Sequence, residues 1–352
     1  MSINLEIFTE LLHKKIVKKS TFTVLFVFKK CTQKCPIMIQ YFIMNSYNKL
    51  TPKFAYRLAS PHTWFAAIGP STLGCVYCFF KGYSLSVFEA LALILACILM
   101  QSSVNTLNDY FDYVKGTDSK SDNLERSDAV LVYEGINPKS ALAFGLIYLA
   151  IAGLIGLVLI LTKNTIIPLW IGLIGAACVF FYSGGHTPIS YLPIGEFISG
   201  FVMGGLIPLG CVAVATGAWH FEVLIFALPL IISIGLILMS NNGCDIEKDI
   251  EANRKTLPVI LGREKTKKIY KSLTLIWIAL LWVLPVILLG YIGLLCPVLM
   301  HLFARKPMIW LMKSPLNQEH RVEQMKTILK ANIMANGSYI VTIAIAIIFG
   351  RL

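Results

Sequence analysis

Leu91-Ala-Leu-Ile-Leu-Ala-Cys-Ile-Leu-Met100 is an uncharged, apolar run, and it continues through Gln101-Ser-Ser-Val into Asn105-Thr-Leu-Asn108-Asp109-Tyr110-Phe111-Asp112-Tyr113-Val-Lys115-Gly116-Thr-Asp118. On a helix, residues three and four apart are neighbours, so Asn105, Asn108, Asp109 and Asp112 share one face. Gly116 then lets the helix end. A helix too apolar for water at one end and acidic at the other belongs at a membrane boundary.

The rest of the chain agrees. Of 352 residues, 56% are hydrophobic and only 14% charged, where a soluble domain carries about 25% charged residues. Mean hydropathy is +0.70. Several runs reach the ~20 apolar residues needed to cross a bilayer. They are continuous rather than alternating, which excludes a β-barrel. The fold class is therefore all-α, a polytopic membrane protein. Nine spans are predicted, at 61–81, 87–107, 140–162, 165–184, 195–216, 222–243, 269–289, 291–312 and 328–349. The eighth is interrupted by Arg305 and Lys306.

Net charge is +12, but the basic residues cluster at the ends of apolar runs. That pattern sets membrane orientation and argues against a nucleic-acid partner. Lys and Arg gather before the first span and after spans 2, 6 and 8, whereas connections after odd-numbered spans carry at most one each. Nine spans with a cytoplasmic N-terminus satisfy this bias, and both acidic segments then face the cytoplasm. Residues 1–43 hold seven Lys and no run long enough to span. Text that reads as an ordinary start begins at Met44, so 44–352 is expected to be the functional transmembrane domain and 1–43 a basic extension. The nine Cys are scattered. Cys75 and Cys78 make a CxxC inside an apolar run with no His nearby, which reads as packing rather than a metal or redox site. No protein partner is inferred.

Eleven of the nineteen acids lie in 105–134 and 241–251. The second segment reads Asn241-Asn242-Gly-Cys-Asp245-Ile-Glu247-Lys248-Asp249, another i, i+4 stripe at the end of an apolar span. Like charges at this spacing destabilise a helix, and more so near lipid. A cation must offset them, and the stripes themselves lack enough Lys or Arg. Mg²⁺ prefers one or two carboxylates together with phosphate oxygens and water. Two facing stripes thus predict Mg²⁺ and a diphosphate between them. Taken singly, either stripe would pass for solvated acids, and Asp122, Glu125, Asp128 and Glu134 are read that way. Arg254 and Lys255 follow the second stripe and are expected to clamp phosphate. Lys115 and Lys139 either reach phosphate or set topology. In Tyr182-Ser183-Gly184-Gly185-His186, the glycines allow close approach to a ligand and Tyr182 offers an aromatic face to a carbocation. A plain turn with an interfacial Tyr is equally compatible with that segment, and His186 is read as a surface residue.

At these residues the chain, from about Ser60 onward, resembles the UbiA superfamily of intramembrane aromatic prenyltransferases. Asn108 to Asp112 with Asp118 looks like the first family motif, and Asp245-x-x-x-Asp249 like the second. Tyr-Ser-Gly-Gly and Asn241 to Gly262, with Arg254-Lys255-Thr-Leu-Pro, are similar to the MenA branch, the 1,4-dihydroxy-2-naphthoate polyprenyltransferases of menaquinone synthesis. The resemblance implies a nine-helix bundle around a central cavity that opens sideways to lipid, in a bacterial inner membrane. It implies Asn108, Asp112, Asp245 and Asp249 as Mg²⁺–diphosphate ligands, with Asp109 and Asp118 supporting them and Asn105, Asn241 and Asn242 beside substrate. It implies a polyprenyl diphosphate and an aromatic acceptor as substrates. Two departures, Gly185-His186 in place of Gly-Gly-Pro and Ser60-Pro61-His62 in place of Arg-Pro, touch the region expected near the acceptor. Other acceptors in the same chemistry are 4-hydroxybenzoate, homogentisate or a porphyrin. A cation-coupled transporter is the reading from another class, disfavoured because the stripes lie at one membrane face.

Overall fold

The structure is a computed structural model that describes residues 47–116 and 130–349. The expected extension, 1–43, and Asp118 lie outside the described residues. Leu50–Leu352 is one compact unit. The described residues are helical and contain no β-strand.

The elements are α1 (Pro52–Leu58), α2 (Phe65–Lys81), α3 (Val87–Lys115), the short α4 (Val130–Glu134), α5 (Pro138–Lys163) and α6 (Ile167–Ser183). After a 3-10 turn at Ile189–Tyr191 come α7 (Gly195–Thr216), α8 (Val223–Cys244), α9 (Ile246–Glu251) and α10 (Leu257–Leu261). Then follow α11 (Arg263–Leu289), α12 (Leu295–Phe303), α13 (Arg305–Leu311) and α14 (Arg321–Phe349). Six helical stretches are long and apolar enough to cross a membrane, and a seventh if the bent pair Pro52–Thr63 and Phe65–Lys81 is one span. α6 is apolar but has only 17 residues. The two spans expected at 269–289 and 291–312 fall mainly in one helical stretch of 41 residues, Arg263–Phe303. Its α-helical path is broken at Gly290, whose φ of 63° lies in the left-handed region.

Three local features position the site. The helix α3 starts with a capping box: Glu89 N–H donates to Ser86 Oγ at 3.2 Å, and Ser86 N–H to Glu89 Oε2 at 2.8 Å. Its 29 residues extend ~44 Å at ~1.5 Å per residue, well beyond a ~30 Å hydrocarbon core. The surplus carries the acidic turns out of the apolar layer, and Gly116 ends them at φ 69°. The 60° bend between α1 and α2 is fastened to α3, since Asn105 Nδ2 donates to Ala59 O and to Thr63 Oγ1, both at 2.9 Å. Finally, α7 and α8 touch backbone to backbone. A Cβ on Gly200 or Gly204 would lie 2.5 Å from Ile231 main-chain atoms, so only glycine fits there. Cys75 and Cys78 are free buried thiols of α2, packed near Cys211 of α7.

Candidate active site

The two stripes meet. Arg254, in the connection after α9, places Nη2 2.5 Å from Asp112 Oδ1 on α3 and Nη1 3.7 Å from Asp249 Oδ1 on α9. Asp249 Oδ2 also accepts from the Thr256 hydroxyl at 3.1 Å. Its carboxyl is buried, which pushes its pKa up to about 6 against the opposing pull of Arg254 and Thr256. Burial works against the Arg254 charge, but Asp112 and Asp249 more than offset it, so its proton is held above the ordinary arginine range. The guanidinium also lies over the Tyr191 ring, 4.8 Å from its centroid.

A second arginine completes the acid set. Arg321, the first residue of α14, donates Nε to both carboxylate oxygens of Asp245 at 3.0 Å and Nη2 to Asn241 Oδ1 at 2.8 Å. Arg321 was one of several bases expected only to set orientation. Its burial, at 6% exposed, is what separates it from the others. Arg321, Gln324 and Ile328 are buried on α14, and their i, i+3, i+7 spacing puts them on one face, but the span expected at 328–349 begins after the first two. Lys248, given no role above, also lines the site.

Asn108, Asp112, Asn241, Asn242, Asp245, Asp249, Arg254 and Arg321 border one end of a cavity of about 590 Å³. From there the walls become apolar, with Met100 and Cys97 of α3, Gly156 and Ile160 of α5 and Ile171 of α6. Tyr182 lines the cavity from α6 and Asn105 from α3. Ser183 Oγ donates to Asn108 Oδ1 at 2.6 Å, and Asn108 Nδ2 donates to Asp112 Oδ2 at 3.1 Å. The α6 terminus is thus tied to the first stripe.

Other expected site residues lie elsewhere. Asp109, expected beside the metal, is absent from the cavity lining and accepts from the Val130 N–H through Oδ2 at 2.9 Å. It anchors the start of α4. Its neighbour on the stripe, Asn108, faces the cavity because one residue on a helix is a 100° turn. Lys115 does not line the cavity. Its Nζ donates to the Ser183 carbonyl at 2.7 Å, capping the end of α6, and lies over the Phe111 and Tyr191 rings. Lys139 is exposed near the start of α5, outside the lining. The Arg254-Lys255 pair is divided: Lys255 is exposed while its N–H is held by Tyr191 O at 2.9 Å. Gly184 serves close packing, since a Cβ there would sit 2.6 Å from Phe180 O and 3.1 Å from the Phe111 ring, and Gly185 takes a left-handed φ of 84°.

Oxygen donors, two acidic stripes and two arginines at the head of an apolar cavity are what a diphosphate carrying an apolar tail requires. The UbiA prenyltransferase family profile matches residues 67–333. The chain belongs to the UbiA prenyltransferase family. This UbiA-family enzyme is 31% identical to the 1,4-dihydroxy-2-naphthoate octaprenyltransferase of Bacillus subtilis (strain 168) over 235 residues, covering 67% of the chain and 74% of the relative. It is 28% identical to UbiA prenyltransferase domain-containing protein 1 of Danio rerio, covering 62% of the chain and 65% of that protein. In fold it is similar to a UbiA homolog from Archaeoglobus fulgidus bound to GPP and Mg²⁺, with a TM-score of 0.57 at 17% identity, covering 84% of the chain and 99% of the homolog. The protein is thus a multi-pass membrane prenyltransferase.

Proposed function

We propose that this enzyme transfers a polyprenyl group from its diphosphate to 1,4-dihydroxy-2-naphthoate, with loss of CO₂ from the ring, in an Mg²⁺-dependent reaction. The observation that carries the diphosphate half is the Arg254 guanidinium between Asp112 and Asp249 at the head of an apolar cavity. The acceptor rests on similarity to the Bacillus enzyme and on the MenA-like motifs.

Among the described residues, no group of three or more His, Cys, Asp or Glu side chains could hold a metal ion unaided. The residues nonetheless fit Mg²⁺ delivered with substrate, because the donors are all oxygen and the ion needs only one or two carboxylates beside phosphate and water. Asp112 and Asp249, with Asn108 and Asp245, would hold it. The chemistry it supplies when bound is Lewis-acid stabilisation of the departing diphosphate.

The chain's own residues do the rest. Arg254 and Arg321 are charged donors at the head of the cavity. They exchange carboxylate partners for diphosphate oxygens, which neutralises charge as the allylic C–O bond breaks. The apolar walls exclude water that would trap the allylic cation. Tyr182 turns an aromatic ring toward that cation. The electron-rich acceptor ring then attacks C1 of the prenyl chain. Nine crossings accommodate this scheme, counting α2, α6 and the two halves of Arg263–Phe303 on either side of Gly290 as spans. The site then lies at the cytoplasmic face, in keeping with the basic connections.

The test is an acceptor panel. Purified protein is given farnesyl or longer diphosphate with 1,4-dihydroxy-2-naphthoate, 4-hydroxybenzoate or homogentisate. Prenylated, decarboxylated naphthoquinol is the predicted product. Turnover of another acceptor in preference to it would refute the assignment.

A further inference from the structure

Glu196, two residues into α7, is a buried carboxylate, 6% exposed, that the mechanism above does not use. Its Oε1 accepts from Asn242 Nδ2 at 2.8 Å. Its Oε2 is buried and has no hydrogen-bond partner among the described residues. A carboxyl group in an apolar layer is costly, and one left with a single side-chain partner is more so. Its side-chain partner, Asn242, lines the cavity beside Asn241 and Asp245. The close backbone contact of α7 with α8 at Gly200 and Gly204 brings the two side chains within reach.

The consequence is directional. An amide side chain has one donor end and one acceptor end. With Nδ2 turned to Glu196, which takes one of its two hydrogens, the carbonyl Oδ1 at the other end of the amide is the acceptor left for the cavity. That end of the cavity also presents the cations Arg254, Arg321 and Lys248, which suit phosphate oxygens, and the acceptors Asp112, Asp245, Asp249 and Asn241, which those arginines already engage. A carbonyl oxygen suits a hydroxyl donor instead.

We propose that Glu196 is a positioning residue that fixes the Asn242 amide so that its carbonyl oxygen receives a ring hydroxyl of the aromatic acceptor. This deepens the prenyl-transfer reading and rests on it for the identity of the acceptor. The pair thereby selects a hydroxyl-bearing ring and orients it. A hydrogen bond from the ring hydroxyl to Oδ1 increases electron density on the ring, which favours attack on an electrophilic carbon.

Equilibrium binding tests this without turnover. Binding of 1,4-dihydroxy-2-naphthoate and of its dimethyl ether to the full chain is measured by calorimetry, with a non-reactive prenyl thiodiphosphate present. Wild type should prefer the free hydroxyl form by at least tenfold. Asn242→Ala and Glu196→Ala should each remove most of that preference, and the double variant should lose no more than either single one. Glu196→Gln, whose amide oxygen still accepts from Asn242, should restore it. Affinity for the thiodiphosphate should stay within twofold throughout. Folded variants that keep the hydroxyl preference would overturn the proposal, as would an equal loss of thiodiphosphate affinity. If the alanine variants fail to fold, the wild-type comparison and Glu196→Gln decide it: no preference for the free hydroxyl, or its loss in Glu196→Gln, overturns the proposal. Intact, hydroxyl-dependent binding without turnover would count against the prenyl-transfer reading alone.

Discussion

Arg254 Nη2 lies 2.5 Å from Asp112 Oδ1, joining residues 142 positions apart in sequence. One guanidinium thereby spans both acidic stripes, since Asp249 is 3.7 Å from its other terminal nitrogen. Carboxylates that would repel each other at the head of a cavity are held together by a cation that a diphosphate can later claim. On the proposed reading, the site is organised before substrate arrives, and these ion pairs are the ones a diphosphate would rearrange.

Arg254 and Lys255 should separate cleanly in kinetics. Removing a charged donor aimed at the leaving group costs about 3 kcal/mol of transition-state stabilisation, or roughly a hundredfold. Arg254→Ala should lower kcat/KM for the prenyl diphosphate by about that factor, with Arg254→Lys intermediate. Lys255→Ala, altering an exposed side chain outside the cavity, should change it less than threefold. Steady-state rates against diphosphate concentration read both.

Asp109 and Asp112 are three residues apart on α3 and should differ in kind. Asp112→Asn should weaken Mg²⁺ dependence and turnover, because Asp112 borders the cavity. Asp109→Ala removes the acceptor of the buried Val130 N–H and should cost about 1–3 kcal/mol of stability. Its apparent KM for Mg²⁺ should stay near wild type. Thermal melts in detergent, paired with Mg²⁺ titrations of activity, distinguish the two.

Arg321 should be more important to stability than any other surface-ward base. Asp245 and Arg321 are both buried, and truncating one partner of a buried pair strands a charge at a cost of about 3–5 kcal/mol. Arg321→Leu should fall in melting temperature well below wild type. The double variant Arg321→Leu/Asp245→Leu should recover part of the loss while remaining inactive. A double variant no more stable than the single would show that the pair is not what holds these helices.

The raised Asp249 pKa gives a pH dependence with opposite signs for stability and for metal binding. Between 3.8 and about 6 the folded protein holds a proton that the unfolded chain has lost. Stability of the metal-free protein from this group is therefore full below pH 3.8 and declines as pH rises through 6. Mg²⁺ requires the carboxylate, so its apparent affinity should weaken about tenfold per pH unit below 6. Mg²⁺ titrations of activity between pH 5 and 8 test this. Asp249→Asn should abolish the acidic limb along with most of the activity.

Much of this fold was readable because bilayer thickness and hydrophobic run length are local properties. The spans at 87–107, 140–162 and 222–243 correspond to α3, α5 and α8. The break at Gly290 was legible as the boundary between the spans expected at 269–289 and 291–312. The bend between Pro52–Thr63 and Phe65–Lys81 was not, because residues before 61 are too polar to read as part of a span. The stripes were legible through their i, i+4 spacing, which also explains the misplacement of Asp109. Spacing defines a face about 100° wide, and only packing decides which edge of it meets the cavity. The argument that too few cations lay near the acids failed for a related reason. Arg321 is 76 residues from Asp245, and a buried arginine looks like any positive-inside charge until its partner is in place. Glu196 was invisible because nothing local distinguishes it. Its meaning comes from Asn242 on a neighbouring helix.

The most direct test of the central claim is pyrophosphate release. Wild type and the Asp112→Ala/Asp249→Ala double variant are compared with farnesyl diphosphate and 1,4-dihydroxy-2-naphthoate, each with Mg²⁺ and with chelator. The account predicts release by wild type that requires Mg²⁺ and matches prenylated product one to one, and none above background from the double variant. Full turnover by the double variant, or release by wild type that ignores Mg²⁺, would contradict it.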